Sequence, residues 1–488
     1  MKIKELLNNV EILSKHNFNE NTMNLDILNV CDNSLDQNLL LNSLFVCING
    51  NNFDSHIICK SLQFRGVKFI VCERDVETDL PYIIVDNTRK ALPQILNNFY
   101  NLPTKKFKLI GVIGTNGKTS TTYFVKKFCD RHKIKCSLIG TSGVYINNKK
   151  LEETLTTPDP ILLFSLFNQM AKAKTKVVVM EISAHAIFYA KTYGILFDTV
   201  IFTNFSQDHL DFFKTMENYK NTKLSFFNPN NTKSAVINFD DEVGKELIEK
   251  IDGQIPILTY SLNSEEANLY AKNIKLKLNN TQFDLIFKGK SSVKVKTMTN
   301  CEFNVYNILA SVSALSMLNF KITKFNRMKG IIGRFDVFKI TNKKFVIIDY
   351  AHTPESLREV LRATKSLCKF KIISLFGCPG NRDETKRELM GKIANEYCSK
   401  VIITSDNPKY ENPLIIAKEI EKGILSAECE IELNREKAIK NAIKNLQDNE
   451  VLLVLGKGSE KYQDYNNLKI PYSDYVVVKK CIKMLKKQ

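Results

Sequence analysis

Short apolar segments alternate with longer amphipathic stretches along the chain. This alternation predicts an α/β protein in which helices connect the strands of largely parallel sheets. In the first hundred residues we predict strands at 43–49, 67–72 and 82–85 and a helix at 92–100. The breaker Asn101-Leu102-Pro103 then indicates a first domain boundary near residue 103.

The pattern restarts twice after this boundary. A strand at 107–113, a glycine-rich turn and a helix at 119–132 are followed by predicted strands at 177–180 and 198–202. A strand-and-turn-rich stretch (254–262, 281–287, 293–297) and a helix at 305–318 complete this part. After Gly333-Arg334 we predict strands at 345–349, 371–376, 400–404 and 450–455. We therefore predict three domains, at 1–103, 104–332 and 333–488, because 488 residues exceed what one core usually serves.

Composition narrows the class of protein. The net charge of +18 is spread along the chain and lacks the basic stripe of a nucleic-acid binder, so we expect anionic small molecules such as nucleotides and no nucleic acid. No run approaches the roughly 18–20 apolar residues of a membrane span, and the N-terminus lacks a signal-peptide core. The 12 cysteines are scattered without a CxxC pair, which disfavours zinc and disulfides. We expect a cytoplasmic protein that contacts no membrane.

The strongest local motif is Gly111-Val112-Ile113-Gly114-Thr115-Asn116-Gly117-Lys118-Thr119-Ser120, at a predicted strand-to-helix junction. Such a loop cradles phosphate oxygens with backbone amides, while its lysine reaches the β/γ phosphates and its threonine binds Mg²⁺. Val112 occupies the first glycine position of the general phosphate-loop pattern. The predicted ATP contacts are Gly114, Thr115, Asn116, Gly117, Lys118, Thr119 and Ser120.

Two polar motifs follow neighbouring predicted strands. Glu181 ends the first strand, and His209 lies shortly after the second, in the sequence NFSQDHLD. Since the carboxyl ends of parallel strands meet in one crevice, both side chains could reach the Mg²⁺–nucleotide region with Thr119. A carboxylate suits Mg²⁺, whereas an imidazole suits softer metals, which leaves a structural role for His209 open.

Read together, the motifs resemble those of the Mur ligases. They are GTNGKTS, TTPDP, EISAHA, NFSQDHLDF, FNVYN, GR (Gly333-Arg334), DYAHTP, GCPGNRDETKR, TSDNPKYENP and GKGSEKYQ, in that order. The pattern is most similar to ligases acting on UDP-N-acetylmuramoyl-L-alanyl-D-glutamate. The resemblance implies a UDP-precursor-binding domain, a central P-loop ATPase-type sheet domain and a Rossmann-like C-terminal domain that receives an amino acid.

The resemblance also implies roles for individual residues. Lys223 matches a lysine that is carbamylated in the family and helps to hold Mg²⁺ with Thr119, Glu181 and His209. On residues alone, Lys223 would be one solvated lysine among many. The matching contacts to the UDP precursor are Ser34, Thr156, Thr157, Ser183 and Lys191. Lys191 stands where the family has an arginine, which keeps the charge and loses the bidentate fork.

The C-terminal half supplies the remaining implied contacts. Asn307, Arg334 and Asp349 would contact the nucleotide, although Asn307 could equally cap a helix and Arg334 could serve a domain contact. The implied amino-acid pocket contains Arg382, Asp406, Asn407, Lys409, Gly456 and Glu460. Lys409 stands where diaminopimelate-adding ligases carry an arginine. Its cation suits a distal carboxylate and would repel the ammonium of L-lysine, so we predict meso-diaminopimelate, with L-lysine as the alternative.

The implied reaction is formation of an amide through an acyl phosphate, with Lys118, Glu181, His209 and Lys223 as the catalytic group and ATP, Mg²⁺ and the lysine carbamate as cofactors. The chain is expected to be a monomer. Two alternatives are weaker. A folylpolyglutamate synthetase shares the phosphate loop, but its folate-site features are not recognisable, whereas TTPDP and DNPKYENP are. A non-catalytic nucleotide-binding module has no need of Lys118, Glu181 and Lys223.

Overall fold

The computed structural model describes residues 1–50, 52–151, 155–278, 280–326 and 328–485. Three α/β sheets follow one another along the chain, with strands within residues 14–84, 108–297 and 336–455. The predicted fold class is therefore confirmed. The domain limits at residues 103 and 333 stay predictions.

The first sheet has five strands in the order β1-β5-β4-β3-β2, with only the β1–β5 pair antiparallel. Its strands are β1 (Ser14–His16), β2 (Asn29–Cys31), β3 (Ser43–Val46), β4 (Val67–Cys72) and β5 (Tyr82–Ile84). Its helices are α1 (Ile3–Leu6), α2 (Gln37–Leu40), α3 (Cys59–Leu62) and α4 (Thr88–Phe99). An apolar cluster under this sheet contains four buried cysteines: Cys31, Cys47, Cys59 and Cys72.

The central sheet has eleven strands in the order β16-β15-β14-β13-β12-β11-β6-β10-β7-β8-β9. Its strands are β6 (Lys108–Ile113), β7 (Cys136–Gly140), β8 (Gly143–Ile146), β9 (Lys149–Lys150), β10 (Val177–Glu181), β11 (Thr199–Phe202), β12 (Ala235–Asn238), β13 (Ile257–Ser261), β14 (Leu269–Lys277), β15 (Asn280–Phe287) and β16 (Val293–Thr297). Its helices are α5 (Lys118–Arg131), α6 (Pro160–Lys172), α7 (Ala184–Phe188), α8 (Leu210–Phe213), α9 (Met216–Leu224), α10 (Glu242–Ile251) and α11 (Glu302–Met317). Strand β6 pairs in parallel with both β10 and β11, so the turns after these three strands open at one edge.

The third sheet has six strands in the order β17-β18-β22-β19-β20-β21, parallel except for β17–β18. Its strands are β17 (Asp336–Lys339), β18 (Lys344–Asp349), β19 (Lys371–Phe376), β20 (Lys400–Ile403), β21 (Glu428–Ile431) and β22 (Glu450–Leu455), followed by the hairpin of β23 (Tyr462–Tyr465) and β24 (Leu468–Pro471). Its helices are α12 (Pro354–Leu367), α13 (Lys386–Tyr397), α14 (Pro413–Glu421), α15 (Arg435–Asn445) and α16 (Asp474–Leu485).

Apolar side chains cover both faces of the central and third sheets. One cluster runs from the first sheet through α4 and α6 onto a face of the central sheet, and a second fills the other face beneath α5 and α11. Two more clusters lie on the faces of the third sheet. This double coverage explains the continuous apolar strands seen in the sequence. Across the described ranges, no helix is both long and apolar enough to cross a membrane.

Candidate active site

The phosphate-loop motif forms the turn between β6 and α5. Gly117 precedes the helix with φ +83°, a conformation that favours glycine, and a Cβ atom there would lie 2.6 Å from Asn307 Oδ1. Asn307 comes from α11 and also accepts a hydrogen bond from Thr121 Oγ1 at 3.2 Å. Glycine thus lets the loop pack directly against α11, and Asn307 lies beside the predicted ATP loop.

Lys118 begins α5 and folds back over the loop. Its Nζ atom donates to the carbonyl oxygens of Gly114 at 2.9 Å and Thr115 at 2.8 Å. Burial lowers the pKa of Lys118, and the nearby Glu181 carboxylate opposes that shift. The charge of Arg334, from the start of the third domain, lowers the pKa further. A phosphate would offer this half-buried ammonium stronger acceptors than the two carbonyl groups.

Glu181 ends β10, beside the loop, and is 1% exposed. Its Oε2 accepts from Thr119 Oγ1 at 3.0 Å, and its Oε1 accepts from the backbone N–H of Thr141 at 2.8 Å. Burial raises the pKa of the Glu181 carboxyl, while Lys118 and these hydrogen bonds act in the opposite direction. The predicted meeting of Thr119 and Glu181 is therefore present, and Thr141 is an additional residue that the motifs did not indicate.

Lys223 lies on α9 and is buried to 1% exposure, contrary to the solvated lysine expected from the residues alone. Its Nζ atom donates to Thr115 Oγ1 at 3.2 Å and lies 4.2 Å from the ring centre of Tyr219. Burial, with the charge of Lys118 second, holds the pKa of Lys223 well below its ordinary value. Burial therefore disfavours the charged form of the amine that lies beside the phosphate loop.

The oxygen groups of Thr119 and Glu181 fit a Mg²⁺ ion, which prefers oxygen ligands and keeps several waters. Within the part of the chain that the structure describes, no group of three or more His, Cys, Asp or Glu side chains forms a metal cluster. A site with few protein ligands is the kind that Mg²⁺ completes with phosphate oxygens and water.

His209 lies at the start of α8 with φ 54°. Its ring centre lies 4.9 Å from that of His185, and Nε2 lies 3.4 Å from Asp208 Oδ2. The ring also faces Tyr219, at 6.0 Å between centres, and Tyr219 is the ring over which Lys223 lies. His209 therefore belongs to the aromatic wall next to Lys223, and its metal role stays a prediction.

The remaining loop residues are also positioned by β11 and its following turn. The backbone carbonyl of Asn116 accepts from Thr203 Oγ1 at 2.7 Å. Its N–H donates to Asn204 Oδ1 at 2.9 Å, and its Nδ2 donates to Ser206 Oγ at 3.3 Å. Thr115 N–H donates to Asn204 O at 2.9 Å. Ser120 is buried in the first turn of α5.

Arg334 and Asp349 lie together at the entrance of the third domain. The guanidinium carbon of Arg334 lies 4.4 Å from the ring centre of Tyr350. Asp349 is buried and accepts from the backbone N–H groups of Phe335 at 2.6 Å and Ala351 at 2.8 Å. Burial raises the pKa of Asp349 and Arg334 lowers it. Asp349 therefore fixes the backbone directly after Arg334 and directly after Tyr350, and its contact with the nucleotide stays a prediction.

The predicted precursor contacts surround the end of β10. Thr157 Oγ1 donates to the Glu181 carbonyl at 2.9 Å and accepts from Ser183 N–H at 3.0 Å. Thr156 Oγ1 lies 3.0 Å from the hydroxyl of Thr141, which also binds Glu181. The structure thus brings Thr156, Thr157 and Ser183 next to the predicted metal carboxylate.

Two other predicted precursor residues make contacts outside this group of hydroxyls. Lys191 Nζ forms an ion pair with Asp159 Oδ1 at 2.7 Å. Ser34, in the first domain, contributes its carbonyl oxygen as acceptor for Arg65. The Asp159 carboxylate raises the pKa of Asp32, after burial as the main cause, so the loop before Ser34 faces the Asp159 region of the central domain.

A cavity of about 750 Å³ lies between the central and third domains. Its wall contains predicted residues from both: Thr156, His209, Arg382, Asp406, Asn407, Lys409, Gly456 and Glu460. Gly456 has φ 104°, and a Cβ atom there would lie 2.7 Å from Asp406 Oδ2. The predicted amino-acid pocket is therefore one continuous space that also reaches the central domain.

Lys457 is a functional candidate that the motif reading missed. It is fully buried, and its Nζ donates to Asn407 Oδ1 at 2.9 Å and to Glu460 Oε2 at 2.7 Å. Asn407 Nδ2 donates to the same Glu460 oxygen at 3.1 Å. Lys457 lies inside the GKGSE motif, but the sequence gives no sign that its ammonium points inward.

Comparison with known proteins agrees with this arrangement. Residues 112–315 match the Mur ligase middle domain, and residues 333–458 match the Mur ligase, glutamate ligase domain. The UDP-N-acetylmuramoyl-L-alanyl-D-glutamate--2,6-diaminopimelate ligase 1 of Clostridium acetobutylicum is 38% identical over 494 residues, covering 99% of this chain and 100% of that protein. The UDP-N-acetylmuramoyl-L-alanyl-D-glutamate--2,6-diaminopimelate ligase of Clostridium botulinum is 38% identical over 452 residues, which cover 90% of this chain and 92% of that protein.

A solved structure of a UDP-N-acetylmuramoyl-L-alanyl-D-glutamate--2,6-diaminopimelate ligase superposes with a TM-score of 0.71 at 24% identity. The superposition covers 100% of this chain and 99% of that one, which shows a common fold. Because both domain models match in order and the similarity to the Clostridium acetobutylicum protein runs through almost the whole chain, the chain belongs to the Mur ligase family.

Proposed function

We propose that this ATP-dependent ligase joins meso-diaminopimelate to the γ-carboxylate of the D-glutamate in UDP-N-acetylmuramoyl-L-alanyl-D-glutamate, a step of peptidoglycan precursor synthesis. The curated relatives carry this activity in their names. The observation that carries the proposal is the convergence of Lys118, Thr119, Glu181 and Lys223 at the strand ends, next to a cavity with both acidic and basic walls.

The proposed reaction has two steps. An oxygen of the γ-carboxylate attacks the γ-phosphorus of ATP, so that ADP leaves and an acyl phosphate forms. The amine of the incoming amino acid then attacks the acyl carbon, the amide bond forms, phosphate leaves with the acyl–oxygen bond electrons, and the nitrogen loses its proton. Both steps place most of the developing charge on phosphoryl oxygens.

The residues of the chain divide this work by position. The loop amides and Lys118 bind the β and γ phosphates, and the ammonium of Lys118 offsets the charge that develops there. Thr156, Thr157 and Ser183 orient the dipeptide end of the precursor beside Glu181, since their hydroxyl groups surround the end of β10. The cavity holds the amino acid and excludes water that would hydrolyse the acyl phosphate.

Mg²⁺ fits the oxygen groups of Thr119 and Glu181, and when bound it neutralises phosphate charge and aligns the oxygens for in-line transfer. Lys223 is suited to carbamylation because only an uncharged amine adds to CO₂, and burial lowers its pKa. The product is an anionic oxygen group, which would give hard Mg²⁺ a further ligand. An electron-density map of the crystallised enzyme would test this, and an unmodified lysine far from the bound Mg²⁺ would remove the carbamate from the mechanism.

The choice of amino acid follows from the charge at Lys409. This cation lines the cavity and suits the distal carboxylate of meso-diaminopimelate, whereas it would repel the side-chain ammonium of L-lysine. Lysine in place of the family's arginine offers a point charge instead of a bidentate fork.

The test measures phosphate release by the purified enzyme with ATP and Mg²⁺. Release is expected only when UDP-N-acetylmuramoyl-L-alanyl-D-glutamate and meso-diaminopimelate are present together, and mass spectrometry should find the amide product. Lys118→Ala is expected to lower kcat by about a thousandfold, since it removes the principal charge on the transferred phosphoryl group. Lys105→Ala, on the exposed surface before β6, is the matched control.

Each alternative predicts a different outcome. Preferential incorporation of L-lysine would overturn the amino-acid assignment and leave the ligase reaction standing. Release driven by a folate and glutamate, or a Lys118→Ala enzyme that forms the amide at the normal rate, would overturn the proposed function.

A further inference from the structure

The protein fixes the orientation of His352, a half-buried imidazole in the cavity wall. Its Nδ1 lies 2.8 Å from the carbonyl oxygen of Tyr350, and because a carbonyl can only accept, Nδ1 carries the proton and donates. Lys386 donates to the His352 carbonyl at 3.0 Å and holds the backbone from α13. In the neutral ring Nε2 is then the unprotonated nitrogen, and it has no hydrogen-bond partner among the described residues. Its lone pair can accept a proton from a ligand.

The surroundings of His352 favour its neutral form. Burial is the main cause that lowers the pKa of His352, and the ammonium of Lys386 is the second. The hydrogen bond to Tyr350 and the carboxylate of Asp208, between β11 and α8, act in the opposite direction, while Arg334 lowers the pKa further. The net shift is downward from the ordinary 6.5, so the imidazole is mainly unprotonated at neutral pH.

His352 lies on the side of the cavity that faces the phosphate loop. The charges of Asp208 and Arg334 act on Lys118 in that loop as well as on His352. The imidazole therefore lies where the cavity for the amino acid meets the site of the transferred phosphoryl group. In the proposed reaction, the acyl phosphate and the attacking amine come together at this junction.

Other groups of the cavity wall are less suited to take up a proton. The Glu460 carboxylate already accepts from Lys457 at 2.7 Å and from Asn407 at 3.1 Å. His209, also in the wall, has its Nε2 3.4 Å from Asp208 Oδ2 and is a predicted metal ligand. Carboxylates ordinarily titrate at about pH 4, whereas an imidazole titrates close to neutral pH, which suits a general base.

We propose that His352 is a catalytic residue, the general base that takes a proton from the attacking ammonium in the second step. This inference rests on the proposed function and assigns a residue to its proton transfer. The α-ammonium of a free amino acid has no lone pair until it loses a proton. Nε2 takes that proton, the nitrogen lone pair forms the bond to the acyl carbon, and phosphate leaves with the electrons of the acyl–oxygen bond. The second nitrogen proton leaves with the phosphate, and the imidazolium returns its proton to solvent.

The experiment compares two nucleophiles in the wild type and in His352→Gln. Each enzyme is incubated with ATP, Mg²⁺ and the UDP precursor to form the acyl phosphate, and is then mixed rapidly with meso-diaminopimelate or with hydroxylamine. Hydroxylamine is largely unprotonated at neutral pH, so its attack needs no general base. His352→Gln is expected to slow amide formation with meso-diaminopimelate by about a hundredfold and to leave hydroxamate formation within about threefold of the wild type.

The matched control is His132→Gln, at the end of α5 and outside the cavity wall. The Nδ1 of His132 also lies 2.8 Å from a backbone carbonyl oxygen, that of Phe128. The control should change neither rate. Retained hydroxamate formation in His352→Gln would show that this variant folds and forms the acyl phosphate. Equal losses with both nucleophiles, or an unchanged rate of amide formation, would overturn the role of His352.

The pH dependence of the wild type tests the inference without any variant. If His352 takes the proton, amide formation from the acyl phosphate should vary by less than about threefold from about pH 7 to about pH 8.5, because the imidazole stays neutral and the amino acid stays protonated. Without a base, the rate would follow the free amine and rise about tenfold per pH unit, which would refute the inference. A wild type that forms neither amide nor hydroxamate would instead contradict the proposed function.

Discussion

The buried amine of Lys223 makes the stability of the fold depend on pH. Its pKa lies well below the ordinary 10.5 because of burial, so at a pH between the two pKa values the unfolded chain binds more protons than the folded chain. The folded state is therefore disfavoured as the pH falls from 10.5 towards the lowered pKa, and it is favoured as the pH rises. The slope for one such proton is at most about 1.4 kcal/mol per pH unit.

We predict that Lys223→Met removes this slope. In CO₂-free buffer, the free energy of unfolding from urea titrations at pH 7 and pH 9 should rise more in the wild type than in Lys223→Met. The control is Lys220→Met, one turn earlier on α9, where Glu246 raises the pKa of the lysine and both states stay protonated over this range. Identical pH dependence in wild type and Lys223→Met would show that the amine is charged in the fold.

For single residues, the sequence predicts a functional role where one contiguous motif determines the surroundings of the side chain. Lys118 and Thr119 follow from one strand–turn–helix motif, and their positions agree with it. Lys457 is different, because one of its partners, Asn407, comes from a loop distant along the chain. Nothing in the residues next to a lysine in the sequence indicates whether tertiary packing will bury it.

The turn that leads into α5 requires glycine at position 117, because a larger residue would collide with α11. Gly117→Ala should raise the KM for ATP by at least tenfold, because the methyl group would meet Asn307 Oδ1 and displace either the loop or α11. Gly253→Ala is the matched control: it has φ +68° but no atom within 4 Å of an added Cβ. It should cost about 1 kcal/mol of stability and leave ATP kinetics unchanged.

The two glycine variants are compared by ATP titration of phosphate release and by thermal unfolding. An equal loss of stability with equal KM values would mean that left-handed strain, and not the contact with α11, governs position 117.

Most elements agree with the sequence within a few residues. The helix predicted at 119–132 is Lys118–Arg131, and the strand predicted at 371–376 is Lys371–Phe376. The sequence analysis does not predict the strand Leu269–Lys277, because a register shift between Lys272 and Lys275 interrupts its alternation of apolar and polar residues. The three-residue strands Ser14–His16 and Asn29–Cys31 are too short to give a periodic signal and exist through pairing with their neighbours.

At the scale of the whole molecule, Arg334 interacts electrostatically with charged groups of both the central and the third domain. Its charge acts on Lys118 and Glu181 in the central domain and on Asp349 in the third. Arg334→Ala should lower kcat by about a hundredfold, since a cation next to the transferred phosphoryl group is lost, while the KM for the amino acid stays within about twofold. Arg362→Ala, exposed on α12, is the control in the same steady-state assay. An unchanged kcat would assign Arg334 to domain packing alone.

The order of the three sheets was accessible from the sequence, because each restart of the strand–helix alternation marks a new sheet. Their mutual placement was not, since it depends on surfaces contributed by many residues. The cavity wall combines Thr156 and His209 of the central domain with Arg382 and Lys409 of the third, and no local pattern connects these positions.

The four cysteines buried beneath the first sheet can serve as internal probes of local unfolding in the first domain. Cys31, Cys47, Cys59 and Cys72 are almost wholly shielded from solvent. A thiol reagent can therefore modify them only when the first domain opens locally or unfolds. Mass mapping of their alkylation over time would report how often that domain opens, separately from the rest of the chain, and would reveal whether a bound UDP precursor slows it.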